Sequence, residues 1–402
     1  MGELTTECRD IAIIGAGISG LSLAHYAARA DWRTLVIDRS ERPGGCFHTL
    51  RTEDGFWLEL GAHTCYNSYS AIVGMVQDLG LRDSLLRRGK VPYRLLSGGR
   101  TKSIASALNF AELVFSAPRM LFSKKAGRTV AEYYSSIAGR GNYERALGPL
   151  LSAVPCQRAD DMPADMLFKS RKRRRDFPRS FTFQGGLQAL TDAIASEEGV
   201  ELVKGAQVEG IEFRNKAYVI ALSDGRSFEA QALGLAVPPH AAAGFLKDLA
   251  PGVSEKLSLV ESVTVDSVGV VVKKGSVGME PVAGLVPVED DAFWSVVSRD
   301  YLPHESLRGF TFHFKPGLDR EKKLKRVGEV LGTGDFEAVV ETTATLPALR
   351  PGHDRLVAEM DREIAFRRLA VTGNYLAGLA IEDCALRSRS EFERLRKLVA
   401  CI

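Results

Sequence analysis

The chain has 402 residues, 45% of them hydrophobic and 26% charged, with a formal net charge of +3. That composition excludes a mostly disordered chain, and so small an imbalance of charge does not by itself imply a nucleic-acid partner. No uninterrupted apolar run approaches the ~20 residues of a membrane-spanning helix, and six scattered cysteines without a C-x-x-C pair read as free thiols in a reducing, cytoplasmic compartment.

Ile11–Ile14 is a short, wholly apolar run ending in glycine, the pattern of a buried parallel strand. Residues 17–30 follow with helical spacing, Ile18, Leu21 and Ala24 sharing a face. Thr34–Ile37 reads as a second buried strand and ends at Asp38, completing a βαβ unit. From about 70 to 180 helical patterns dominate, at 71–79, 105–122, 129–137 and 143–152, followed by a strongly basic segment at 168–179. Gly185-Gly186 opens another helix, and 200–236 read as strands with a tight turn at Ser223-Asp224-Gly225. Strands are expected at 263–272, 293–298, 309–314 and 367–373, with helices at 319–331 and 378–399. This order predicts an α/β fold in three interleaved parts. A Rossmann-like domain is expected from 1–80, 185–240 and 352–402, a mixed-sheet substrate domain from 241–351, and a helical domain from 81–184.

Gly15-Ala16-Gly17-Ile18-Ser19-Gly20 is a G-x-G-x-x-G run set between a predicted strand and a predicted helix, with Asp38 closing the next strand. In that context each glycine has a physical task. Gly15 permits the tight turn, Gly17 lets the backbone approach a pyrophosphate on the helix N-terminus, and Gly20 lets the helix pack on the sheet. The acid at Asp38 suits the hydroxyls of a ribose. No Ser-His-Asp elbow and no metal-ligand spacing accompanies this motif, so neither a catalytic nucleophile nor a metal is expected.

The stretch from Asp38 through Arg39, Arg42 and Gly44-Gly45 resembles the acid-x-x-x-Arg-x-Gly-Gly extension of the flavin amine oxidase superfamily, although Cys46 stands where many members have Arg. Thr49 and the block Leu58-Glu59-Leu60-Gly61-Ala62-His63 fit the same pattern. Gly373-Asn374-Tyr375, then Gly378, Ala380, Ile381 and Asp383-Cys384, resembles the protoporphyrinogen oxidase family within it. So do Phe183–Leu190, Gly284-Leu285-Val286-Pro287 and Pro347–His353.

The resemblance implies FAD of the amine-oxidase binding type. The two glycine turns, Arg39, Arg42, the Gly61–His63 block, Val208 beside the adenine and the Gly373–Ile381 segment would hold it. It implies hydride transfer from a tetrapyrrole-like substrate to the flavin, with O2 as acceptor, as in heme biosynthesis. Within Pro92–Gly99 it points to Arg94 as the anchor for a substrate propionate, with Leu285 and Val286 as apolar wall. It also implies a peripheral membrane contact through 104–125 and a homodimer. The residues themselves leave open an FAD oxidase of an amine, amino acid or polyene, or a flavin protein without net oxidation.

Overall fold

The computed structural model describes residues 8–399. Cys401 and the first seven residues lie outside that range, and the five described cysteines are unpaired.

Among the described residues two seven-stranded sheets organise the fold. In the first, Val200–Val203, Thr34–Ile37, Arg9–Ile14 and Ser227–Leu235 lie parallel in that order. Ala217–Leu222 and Val208–Arg214 continue it antiparallel, and Leu369–Val371 returns from the far end of the chain to pair with Leu233–Leu235. The central strands are buried on both faces, which explains their continuous apolar composition. Helix Ile18–Ala28 crosses between the first two strands. Helix Ile381–Val399 packs against it and is tied there by Ser388, whose hydroxyl donates to the Ser19 carbonyl at 2.7 Å and pairs with Thr372 at 2.8 Å.

The second sheet runs Ala338–Pro347, Ser262–Lys273, Leu307–Phe314, Phe293–Ser298, Gly284–Pro287, Tyr93–Ser97 and Arg100–Ser103. One face carries Val268, Val270, Phe310, Phe312 and Leu285 and packs on helix Arg320–Leu331 through Val327 and Leu331. That helix is cut by its own sequence: the Asp319 side chain accepts from Lys322 N, and Gly332 closes it in the left-handed region at φ 75°. The opposite face turns toward the Trp57–Glu59 strand. A Cβ on Gly269 would come within 2.3 Å of Leu60, and one on Gly309 within 3.0 Å of Leu58. Glycine is therefore what lets the two halves approach.

Two expectations need correcting. The helix read over 105–122 is broken into a turn at Ile104–Ala107, a helix at Phe110–Ser116 capped by Asn109, and a further turn at Ala117–Leu121 containing Pro118. The segment 81–184, read as helical, contains a hairpin of the second sheet. Gly98 and Gly99, at φ 54° and 72°, form the two-residue turn joining Tyr93–Ser97 to Arg100–Ser103. Val130–Ala138 is helical as expected, with a complete Thr129–Glu132 capping box. Residues 143–153 form a π-turn at Tyr143–Leu147 running into helix Gly148–Ala153.

Candidate functional site

Gly15 sits at φ 104° and a Cβ there would strike the Ala236 carbonyl at 2.5 Å. Gly20 is closed more tightly, since its Cβ would lie 1.8 Å from the Gly15 oxygen. Gly17 differs: its nearest neighbour would be the Cα of Gly45 at 3.9 Å, so two bare glycine surfaces face one another. The Gly44-Gly45 turn is held there by a bridge between Gly17 and Gly44 and by the bond from Gly44 N to Ala16 O at 2.7 Å. The helix's first i to i−4 bond runs from Leu21 N to Gly17 O. The amides of Ile18, Ser19 and Gly20 precede it and offer donors and positive dipole to an anion. This cradle fits a dinucleotide pyrophosphate.

Asp38 stands at the end of the second strand, beside the glycine turn. Its carboxylate accepts from Ala16 N at 2.6 Å and Ser40 N at 2.8 Å, which fixes its orientation. Val208 begins the edge strand just beyond Ala206, whose N–H bonds the Asp38 carbonyl. Arg42 does something other than reach for a phosphate. It donates to the carbonyls of Pro43 and Phe47, both at 2.9 Å, and of Gly45 at 3.0 Å, bracing the glycine turn from behind. Arg39 is exposed.

Gly61 and Ala62 run alongside Cys46. Ala62 N donates to the Cys46 carbonyl at 2.7 Å, and a Cβ on Gly61 would come within 2.3 Å of that oxygen. Cys46 is solvent-accessible yet burial pushes its thiol up to about 11, as expected of a side chain in a recess rather than on an open surface. The C-terminal segment closes the same end. Gly373, Asn374 and Gly378 lead into Ala380 and Ile381 at the head of the last helix. Gly378, at φ 130°, lies under the Asp383 carboxylate. Asp383 in turn accepts from Arg171 at 2.7 Å and Lys169 at 3.3 Å, so the basic segment is partly spent inside the fold.

His63 follows Ala62 and is the hinge of the site. Its Nε2 lies 2.9 Å from Nε2 of His313, and His313 Nδ1 lies 2.9 Å from the Ser267 hydroxyl. Burial holds His313 down to about 4 and His63 well below its usual value, so both rings are neutral near pH 7. One Nε2 must then donate and the other accept. The chain therefore has two tautomeric settings that differ by a proton moved from end to end. The His63 carbonyl accepts from Arg88 Nη1 at 2.6 Å, and the Arg88 guanidinium lies 3.5 Å over the Tyr301 ring. Glu59, fully buried, accepts from Thr49 Oγ1 and Leu187 N, both at 2.7 Å, and burial lifts its carboxyl to about 7.

Strand register decides which substrate-wall residues share this face. Arg94 pairs with Leu285, and Leu285 with Val296, which pairs with Phe312. All therefore lie on the face opposite His313. Leu285 is wholly buried among Phe310 and Phe312. Register therefore places Tyr93 and Val286, rather than the expected Arg94 and Leu285, on the His313 face, with Tyr93 exposed and Val286 buried beside Leu95 and Ala146. Arg88, whose guanidinium bonds the His63 carbonyl, is a buried cation there, 9% exposed. Sequence reasoning missed Arg88, Ser267, His313 and Tyr301. The Thr311 and His313 alternation with Phe310, Phe312 and Phe314 was a legible signal of a polar face on a buried strand.

Residues 18–276 match the family described as flavin containing amine oxidoreductase. Coproporphyrinogen III oxidase of Bacillus subtilis is 22% identical over 94% of this chain and 95% of its own length. The 15-cis-phytoene desaturase of Synechococcus elongatus is 36% identical over 75 residues, 19% of this chain and 16% of its own. In fold, a protein from Exiguobacterium sp. 255-15 assigned as a protoporphyrinogen oxidase superposes with a TM-score of 0.79 at 18% identity, covering 97% of this chain and 99% of that one. With more than half of its length matched and a glycine cradle that fits the cofactor, the chain belongs to the flavin-containing amine oxidoreductase family and is an FAD-dependent oxidoreductase.

Proposed function

We propose that the protein is an oxidase of a porphyrinogen, coproporphyrinogen III or protoporphyrinogen IX, acting in heme biosynthesis. The observation that carries this is extent. The likeness to coproporphyrinogen III oxidase runs through 94% of this chain, whereas the likeness to the phytoene desaturase is confined to 19%. FAD, when bound, supplies the hydride acceptor and passes electrons to O2. The residues cited for the cradle, with Gly61–His63, Val208 and Gly373–Ile381, would hold it. Tyr93, Val286 and Arg88 would set the substrate against it, Arg88 giving the buried cation that a propionate needs. His63 and His313 can relay a proton, one passing between the two Nε2 atoms while one enters at the Nδ1 of one ring and one leaves from the Nδ1 of the other, so that no net charge remains in the site. We assign 1–80, 185–240 and 352–402 to the FAD domain, 241–351 with the 93–103 hairpin to the substrate sheet, and the remainder of 81–184 to the helical part.

The test is porphyrin fluorescence on mixing FAD-loaded protein with either porphyrinogen in air. Full oxidation removes six electrons and, with O2 as acceptor, forms three H2O2. An enzyme-dependent rise with that peroxide yield is expected, and the faster substrate names the branch. No rise with FAD bound favours an amine or polyene substrate instead.

The same reading includes contact with a membrane surface. Phe115 is 81% exposed, Leu121 79% and Phe122 86%, next to Val114 and Met120, with Arg119 and Lys124 alongside. An apolar group of this size rimmed by cations suits insertion at a lipid interface.

A further inference from the structure

A cavity of about 430 Å³ opens between Phe56, the chain entering Tyr93–Ser97, the stretch 277–281 and the loop 299–309. Much of its lining is apolar, with Phe56, Val91, Val277 and Leu307 among the walls. Its charge is not balanced. Lys90, Lys274 and Arg299 line it, and none of them forms an ion pair among the described residues. Of the acids that line it, Asp300 is spent on Arg308 at 2.6 Å, leaving Glu280.

Arg299 is the decisive residue. It is 6% exposed. Its guanidinium stacks on two rings, 4.4 Å from the Phe56 centroid and 4.1 Å from that of Trp57. Nη1 donates to the Leu302 carbonyl at 2.9 Å, but Nε is buried with no acceptor. The indole Nε1 of Trp57 beside it is buried and without an acceptor as well. A desolvated guanidinium with an unmet donor is costly unless a counter-charge completes it. The planar fork, already held by ring stacking, suits a carboxylate.

We propose that this cavity is a binding site for a carboxylate carried on an apolar body, with Arg299 taking the carboxylate and Lys90 and Lys274 drawing it in at the mouth. The apolar walls hold the remainder of the ligand. Tyr301 lines the cavity and carries the Arg88 guanidinium over its ring, so a carboxylate arm of the substrate and an independent organic acid are the two sources of this chemistry. The site rests on these residues and not on the identity of the substrate.

Calorimetric titration of the FAD-loaded protein with octanoate tests it, with octanamide as the neutral control. Saturable binding is expected, at least about tenfold tighter for octanoate than for octanamide, since a charge-assisted bond separates the two. Arg299→Met should lose about tenfold in octanoate affinity, and Lys90→Ala with Lys274→Ala, both at exposed positions, about threefold with a weaker salt dependence. Equal binding of acid and amide overturns the proposal, as does unchanged affinity in the double lysine variant, which stands as the test even if Arg299→Met does not fold. Octanoate that raises KM for the oxidised substrate marks a substrate arm, and octanoate that leaves KM unchanged marks a separate ligand. Both retain the site, and the heat of binding is read independently of whether any porphyrinogen is oxidised.

Discussion

His63 and His313 are 250 positions apart and meet Nε2 to Nε2 at 2.9 Å across the seam between the two sheets. Ser267 extends the contact, so the loop beside the flavin cradle is wired to the substrate sheet. Replacing His313 by Phe removes the partner of both His63 and Ser267. FAD content should stay within a few per cent of the parent, while anaerobic flavin bleaching by substrate slows by roughly 10². A bleaching rate within twofold of the parent would show that the pair only packs.

The glycines of the cradle separate folding from cofactor binding. A Cβ at Gly17 makes only an ordinary contact with Gly45, and the backbone there has φ −74°, acceptable to any residue. Gly17→Ala should therefore keep the parent's Tm in the FAD-free form and lose most of its flavin absorbance, because the methyl occupies the pyrophosphate's approach. At Gly20 the Cβ would overlap the Gly15 carbonyl at 1.8 Å. Gly20→Ala should lower Tm with or without FAD, by several degrees. The contrast is read from absorbance at 450 nm and a thermal melt.

The cradle was legible because its requirements are local. Gly15, Gly17, Gly20 and Asp38 all lie within one βαβ unit, where strand, turn and helix are written side by side. The strands read at 263–272, 293–298 and 309–314 and the helix at 319–331 were legible for the same reason, since their signals are short-range, whereas the strand Gly284–Pro287 was not expected. The substrate side was not, because it depends on register. Arg94 and Tyr93 are neighbours in sequence, and only the pairing with Leu285 and Gly284 says which one faces His313. Arg88 and Tyr301 meet through tertiary contact alone, so no spacing announces them.

Register gives a test of its own. Arg94→Ala should leave KM for the porphyrinogen within about twofold, since its side chain lies on the Phe312 face. Arg88→Met should raise KM by tenfold or more, at the 1.5–3 kcal/mol of a hydrogen bond to a charged group, roughly. FAD content, measured alongside, guards against loss of the His63 loop. A large KM effect at Arg94 with none at Arg88 would reverse the assignment of faces.

Burial lifts Glu59 from 4.5 to about 7 and holds His313 down to about 4, and the two have opposite consequences for stability. Between pH 4.5 and 7 the folded state holds a proton on Glu59 that the unfolded chain has released, so stability from this group falls as pH rises through that window. For His313 the unfolded chain binds the extra proton between about 4 and 6.5, so stability falls as pH drops through it. Glu59→Gln removes only the first effect. Relative to the parent it should gain stability from pH 5 to pH 8, by roughly 3 kcal/mol at most. Chemical denaturation at the two pH values measures the difference, and a parent and variant that track each other would show Glu59 to be ionised throughout.

The apolar group at Phe115, Leu121 and Phe122 is displayed on short elements broken by Pro118, and its cost in water is set by area. Burying two phenylalanines at an interface is worth about 1.5–3 kcal/mol each by the same measure, and nearby cations add attraction to an anionic surface. The protein should therefore float with vesicles containing phosphatidylglycerol, less with neutral ones, and less again as salt is raised. Phe115→Ser with Phe122→Ser should abolish flotation while leaving FAD content and Tm unchanged, because neither side chain belongs to a buried cluster. If the double variant floats as well as the parent, this face does not carry the contact. If neither floats, the cations and rings here serve the solvent-exposed surface only.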